Sequence, residues 1–296
     1  MKPATGLALA LAVAVVASAC SSDSRKTRQM LDGFGGVGTV FKHIYDLAPV
    51  SEKEEIEVGE AVAATLLGAR PLVDDPSLQR YVNDVGLWIA RHSERPDLPW
   101  TFGVIDSEHL NAFATPGGTV LVTRGLMRVL RSESELAGVL GHEIAHAVRR
   151  HHNSAMRKGA MLDLAATGVA VAAAGSGGGE LGEALAQATK ELYVRGLDRG
   201  DEYEADRLGV LYAARAGYDP YGLPGVIQTL SAAPAGDTYV ALLFKTHPAP
   251  AERLDRLATA MGDRFETCCG RPGDESRFER VMAAPASVPP AGGQNQ

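Results

Sequence analysis

Ser132-Glu-Ser-Glu135-Leu136-Ala-Gly-Val-Leu-Gly141-His142-Glu143-Ile-Ala-His146 opens with the spacing of a capping box, Ser132 and Glu135, and then carries two histidines four residues apart. On a helix, residues four apart differ by about 40° around the axis, so both imidazoles project from one face and can hold one metal ion through neutral nitrogens. Glu143 sits beside that face, where its carboxylate reaches a water at the metal rather than the metal itself. Zinc lowers the pKa of such a water from about 16 towards roughly 7, so a carboxylate can take its proton near neutrality. The apolar run from Leu136 to Gly141 makes the helix a buried one. A chance pair of histidines inside it would bury two imidazoles without partners, which is costly. A metal site is therefore the better reading of the pair.

A catalytic zinc takes three protein ligands and keeps an open position. No third histidine follows at the spacing H-E-x-x-H-x-x-G-x-x-H, so the third ligand lies further along. The best carboxylate source is Asp201-Glu202-Tyr203-Glu204-Ala205-Asp206. Glu202 and Asp206 are one turn apart on a stripe that continues through Gly209 and Ala213, small residues that let this helix approach the first one closely. Glu202 is then placed to meet the zinc, and Asp206 to accept the remaining N–H of a ligand histidine. Asp201 and Glu204 read instead as the solvated acidic start of a helix. His151 and His152 read as a solvated basic helix end, with His151 the one that could stand behind a ligand.

Around this centre, a capping box at Ser51 and Glu54 starts a helix over residues 51–69, and a second helix is expected over 76–93. Its buried face comprises Leu78, Tyr81, Val82, Val85, Trp88 and Ile89. Residues 100–105, 111–115 and 119–123 read as strands, the short middle one at a sheet edge. Residues 161–174 are apolar but too short to span a membrane, and they suggest a helical hairpin leading to a helix over 201–216. Gly217 and Pro220 stop that helix.

The chain begins with Lys2, an apolar stretch from Gly6 to Val16 and the small residues Ala17-Ser18-Ala19, which together have the form of a signal peptide over residues 1–19. Cys20 follows directly, as in a bacterial lipobox, although Ala17 stands where such boxes usually have Leu. Cys20 is thus expected to carry lipid, ahead of plain secretion. Residues 20–50 form a flexible, lipid-anchored linker, 51–265 the main domain and 266–296 a largely disordered tail. Cys268 and Cys269 are read as two thiols in that tail. Ser21 after Cys20 is compatible with outer-membrane sorting, so the expected location is the periplasmic side of the envelope. With 45% hydrophobic residues, 22% charged residues and a net charge of −7, the composition is that of a globular protein and argues against a nucleic-acid partner.

Several separated motifs stand in order: Glu57-Val-Gly-Glu60, Asn111-Ala-Phe-Ala-Thr-Pro-Gly-Gly118, Gly125-Leu126, the HEIAH run, Glu202-Tyr-Glu-Ala-Asp206 and His247-Pro-Ala-Pro-Ala-Glu-Arg253. In these the chain resembles the HtpX/BepA-like gluzincin peptidases, the family that includes the type I CAAX prenyl protease. The resemblance implies an α+β, mostly helical, zincin-like metallopeptidase with a small sheet whose edge strand borders the HExxH helix. It implies one zinc ion per chain on His142, His146 and Glu202, with Asp206 behind them. It implies that Asn111, Ala112, Phe113 and Ala114 form the edge strand that pairs with an extended substrate. By itself His247 before Pro248 is a loop histidine; the resemblance implies that it lies near the metal, as an oxyanion donor or a fourth ligand, with Arg253 close by in a catalytic role. The expected activity is endoproteolysis of unfolded or extended polypeptides in envelope quality control, with Glu143 as base. The alternative is a chaperone-like binding module whose latent metal site is closed by His247. An enzyme acting on prenylated peptides inside a membrane is disfavoured by the lack of several long apolar spans.

Overall fold

The structure is a computed structural model that describes residues 51–155, 197–232, 247, 250–265 and 275–283. All of them belong to one of the chain's two compact units, Ser51–Ala155 with Ala184–Gln296. The expected leader, Cys20, the linker, the hairpin after Met161 and the Cys268-Cys269 pair lie outside the described residues.

Eight helices and one sheet are described, in the order α1 (Glu52–Ala69), α2 (Pro76–Ala90), β1 (Thr101–Ile105), β2 (Ala112–Ala114), β3 (Thr119–Thr123), α3 (Arg124–Val129), α4 (Glu133–Val148), α5 (Arg199–Arg215), α6 (Gly222–Ser231), α7 (Pro250–Met261) and α8 (Glu275–Ala283). A 3-10 turn, Gly262–Phe265, follows α7. The fold is mostly helical with a small mixed sheet, as expected. Short α3 and the helices α6 and α7 go beyond what periodicity had indicated. No helix among the described residues is long and apolar enough to cross a membrane.

The sheet order is β1-β3-β2, with β1 parallel and β2 antiparallel to β3. The two outer strands are finished differently. The outward N–H groups of Phe102 and Val104 on β1 donate to the side chains of Asn83 and Gln79 on α2, at 3.1 and 2.8 Å, so α2 closes that edge. On β2, the backbone of Asn111 and Thr115 bonds to Thr123 and Thr119 of β3. By the alternation of an antiparallel ladder, Ala112 and Ala114 turn their main-chain groups away from the sheet, on the strand that packs against α4.

Helix α4 is buried along its whole length. Ser132 caps it by accepting the Glu135 N–H at 3.1 Å, but the reciprocal half of the expected capping box is not made. The Glu135 carboxylate goes instead to the backbone N–H and guanidinium of Arg131. In α2, Leu78, Tyr81, Val82, Val85 and Ile89 enter the core as expected, whereas Trp88 is 46% exposed. Trp88 lies on the flank of the apolar stripe and uses its indole N–H on Ala216 O, 2.8 Å away.

Small residues let α4 and α5 cross almost backbone to backbone. A Cβ on Gly209 would stand 2.7 Å from the His142 backbone nitrogen, and one on Gly141 would stand 2.7 Å from the Gly209 carbonyl oxygen. Gly209→Ala is therefore expected to push the helices apart at the histidine site, at a cost of about 1–3 kcal/mol read from chemical denaturation. Gly200→Ala on the same helix, whose Cβ would meet nothing within 4 Å, serves as the control and should leave stability nearly unchanged.

Part of the stretch expected as a disordered tail is ordered. Helix α8 buries Phe278 against Tyr81, ring centroids 6.5 Å apart. Its Arg277 donates twice to Glu133, at 2.6 and 2.9 Å, and Glu133 also accepts the hydroxyls of Tyr81 and Tyr218. Phe278, Val281 and Met282 do recur at helical spacing and pack on the core, but the expectation of a disordered tail passed over a run of nine residues next to an Ala/Pro/Gly-rich end.

Candidate metal centre

Four buried residues bring ligand atoms together: His142 and His146 from α4, Glu202 from the first turn of α5, and His247 from the segment before α7. These atoms all lie within 4.8 Å of one another. The Nε2 atoms of His142 and His146 face each other at 3.0 Å, as helix geometry requires of residues four apart. The Glu202 carboxylate lies across from them, its oxygens 3.7 and 3.6 Å from the two Nε2 atoms. One of those oxygens, Oε2, is 2.6 Å from His247 Nδ1, while Oε1 is buried without a hydrogen-bond partner among the described residues.

That donor set fits a zinc ion. Nitrogen and carboxylate oxygen are the ligands zinc accepts, and a buried carboxylate oxygen aimed at two ring nitrogens needs a cation to offset its desolvation. The carboxylate of Glu143 is outside the set, although equally buried. It accepts the backbone N–H of Ala114 on β2. Burial raises its pKa above the usual carboxylate value, partly opposed by His142 and His247.

Each ligand histidine has a distinct support behind it. His142 Nδ1 stands 3.0 Å from Asp206 Oδ1, one turn along α5 from Glu202. Asp206 is itself held by Arg253, which donates from Nε to Oδ2 at 2.9 Å and from Nη2 to Oδ1 at 2.6 Å. Burial alone would raise the Asp206 pKa; the Arg253 guanidinium outweighs it and holds the carboxyl well below its usual value. Arg253, expected close to the metal in a catalytic role, is thus found in contact with Asp206. The Nε–Nη2 edge of its guanidinium is taken by Asp206, which places Arg253 behind Asp206 and His142.

His151 and His152 are both buried, not a solvated helix end, and His151 takes the position behind a ligand that the sequence reading left open to it. Past α4 the chain reverses at Arg150, which adopts φ 57°, and His151 returns to place its Nδ1 2.9 Å from His146 Nδ1. Glu204, expected in solvent, lies 3.3 Å from the other ring nitrogen of His151. No motif announces either residue, since five residues separate His146 from His151 and only the reversal joins them. Of the expected edge-strand residues, Ala112, Phe113 and Ala114 form β2, and Asn111 is the fully buried residue that leads into it. Cys20 is outside the described residues.

An HExxH helix, a glutamate from a second helix and a flanking edge strand define a gluzincin-type metallopeptidase. The chain belongs to peptidase family M48, whose family model matches residues 76–261. It is 32% identical over 208 residues to the beta-barrel assembly-enhancing protease of Escherichia coli (strain K12), covering 68% of this chain and 42% of that protein. A protein of the same name from Yersinia pestis is 32% identical over 214 residues, 70% of this chain and 44% of the relative. The mitochondrial metalloendopeptidase OMA1 of Arabidopsis thaliana is 31% identical over 193 residues, 64% of this chain and 37% of its own length. The chain thus spans less than half the length of these relatives.

Proposed function

We propose that this chain is a zinc-dependent endopeptidase that hydrolyses unfolded or extended polypeptides on the periplasmic side of the bacterial envelope, in protein quality control. The observation that carries the chemistry is the convergence of His142, His146 and Glu202 with Glu143 beside, but outside, the donor set. His142, His146 and Glu202 would hold one zinc ion per chain, which would supply Lewis acidity for a carbonyl oxygen and a lowered pKa for a water.

The protein's own groups do the rest. Glu143, buried and aligned by the Ala114 N–H, takes a proton from water at its free carboxylate oxygen and returns it to the leaving amine. Strand β2 is an edge strand, which supports pairing with an extended substrate through its outward carbonyls, the Ala112 N–H being held by Asn111 Oδ1 at 3.0 Å; such pairing is tolerant of side-chain sequence. Asp206, gripped by Arg253, sets a carboxylate 3.0 Å from Nδ1 of the His142 ring, which favours the tautomer protonated there. The signal-like leader and Cys20 support export and a lipid anchor to the outer membrane. Relatives named for enhancing β-barrel assembly favour a role in protein quality control.

A second reading is favoured by one contact. His247 completes a set of four donors and bonds Glu202 at 2.6 Å, an arrangement that suits a closed, latent site in a binding module as well as an oxyanion donor. Zinc analysis paired with digestion of casein separates the readings. The expected result is about one zinc per chain and cleavage that chelation removes and zinc restores. If zinc is bound but neither the wild type nor His247→Ala cleaves, the binding module is the better account.

A further inference from the structure

The two ligand histidines are supported by chemically different partners. Behind His142 stands a carboxylate, Asp206, locked by an arginine. Behind His146 stands a neutral ring. His146 turns Nε2 towards the donor set, so the proton of its neutral form sits on Nδ1, 2.9 Å from His151 Nδ1. His151 must then accept at Nδ1 and carry its own proton on Nε2, which points at Glu204 Oε2 3.3 Å away. The other Glu204 oxygen is 3.0 Å from Arg149 Nε and 4.0 Å from Arg207 Nη2. Every donor in this series meets an acceptor, and the tautomer of each ring follows from its neighbour.

The local backbone is built to place His151 there. Helix α4 ends at Val148 with Arg149 as its C-cap, and Arg150 takes up a left-handed conformation uncommon for a residue other than glycine. The Arg150 guanidinium is held 3.0 Å from Glu55, a fully buried carboxylate on α1 that Arg95 also grips at 2.8 and 2.9 Å. A chain reversal at a strained, ion-paired residue brings a buried imidazole onto the back of a ligand imidazole.

We propose that His151 is a positioning residue for His146, the middle member of a hydrogen-bond relay from the metal centre to Glu204 that fixes the tautomer and ring plane of this ligand. The proposal rests on the reading of His146 as a zinc ligand. Without His151, the His146 N–H is left buried and unpaired and its ring is free to turn, so metal affinity falls while the fold persists.

The test is zinc affinity by competition with a chromophoric chelator, alongside the thermal midpoint of the metal-free protein. His151→Leu is expected to weaken zinc binding by about 10–100-fold. His151→Asn, whose Oδ1 can replace Nδ1 as acceptor, should stay within about threefold of wild type. The metal-free midpoints of these two variants should agree with each other, and the cobalt(II)-substituted Leu variant should show an altered visible spectrum. Glu204→Leu should weaken binding several-fold, roughly the loss of one outer hydrogen bond; unchanged affinity would remove Glu204 from the relay. Wild-type affinity in His151→Leu, or equal losses in the Leu and Asn variants, would overturn the positioning role. A wild-type protein that binds no zinc would instead sink the metallopeptidase reading beneath it.

Discussion

Glu143→Gln is expected to reduce peptide hydrolysis by about 10³-fold or more while leaving zinc bound, because it removes the carboxylate placed to move a proton. The substitution is close to isosteric. The amide oxygen can keep the hydrogen bond from the Ala114 N–H, so β2 and α4 should stay in register. Zinc retention follows from geometry: the four converging ligand atoms come from His142, His146, Glu202 and His247, and Glu143 contributes none. Turnover numbers and metal content measured on the same preparation check both halves. Turnover within tenfold of wild type would remove Glu143 as the base.

Arg253→Met should be the most destabilising single change at the site. Asp206 is only 2% exposed, and the variant leaves its charge buried with both of its strongest hydrogen bonds gone. Breaking a buried pair from one side costs about 3–5 kcal/mol, whereas replacing both partners by apolar groups is often nearly neutral. The double variant Arg253→Met with Asp206→Leu should therefore recover most of the lost stability in urea denaturation. It should not recover zinc affinity, because His142 Nδ1 still lacks its acceptor; a deficit of about 10–100-fold is expected. Full recovery of metal binding in the double variant would show that Asp206 and Arg253 serve stability alone.

The gap between these two predictions marks what was legible before the structure. Glu143 was assigned from the spacing of HEIAH, because helix periodicity alone sets which side chains share a face. Glu202 and Asp206 were found the same way, from one turn of spacing and a stripe of small residues, and the close crossing at Gly141 and Gly209 is what that stripe produces. Arg253 could be placed near the site only through a motif. Its partner was not deducible, since a 47-residue separation carries no local signal of an ion pair. Trp88 failed for a related reason: a stripe has flanks, and which flank is covered depends on what packs there.

By itself the sequence determined the local matters: the capped active-site helix, the paired histidines with their glutamate, the second helix with its carboxylates, and the short strands. Each is set by interactions within a few residues along the chain, which periodicity and capping report directly. Only the tertiary structure decided how these parts support one another. It spent Arg253 on Asp206, turned His151 back onto His146 through the left-handed Arg150, recruited Glu204 from an apparently solvated helix start, and docked α8 on Glu133. Those contacts join residues 5 to 144 positions apart, and their energies arise from burial. Burial is a property of the folded whole, in which a charge or ring nitrogen removed from water must find its partner wherever the fold supplies one.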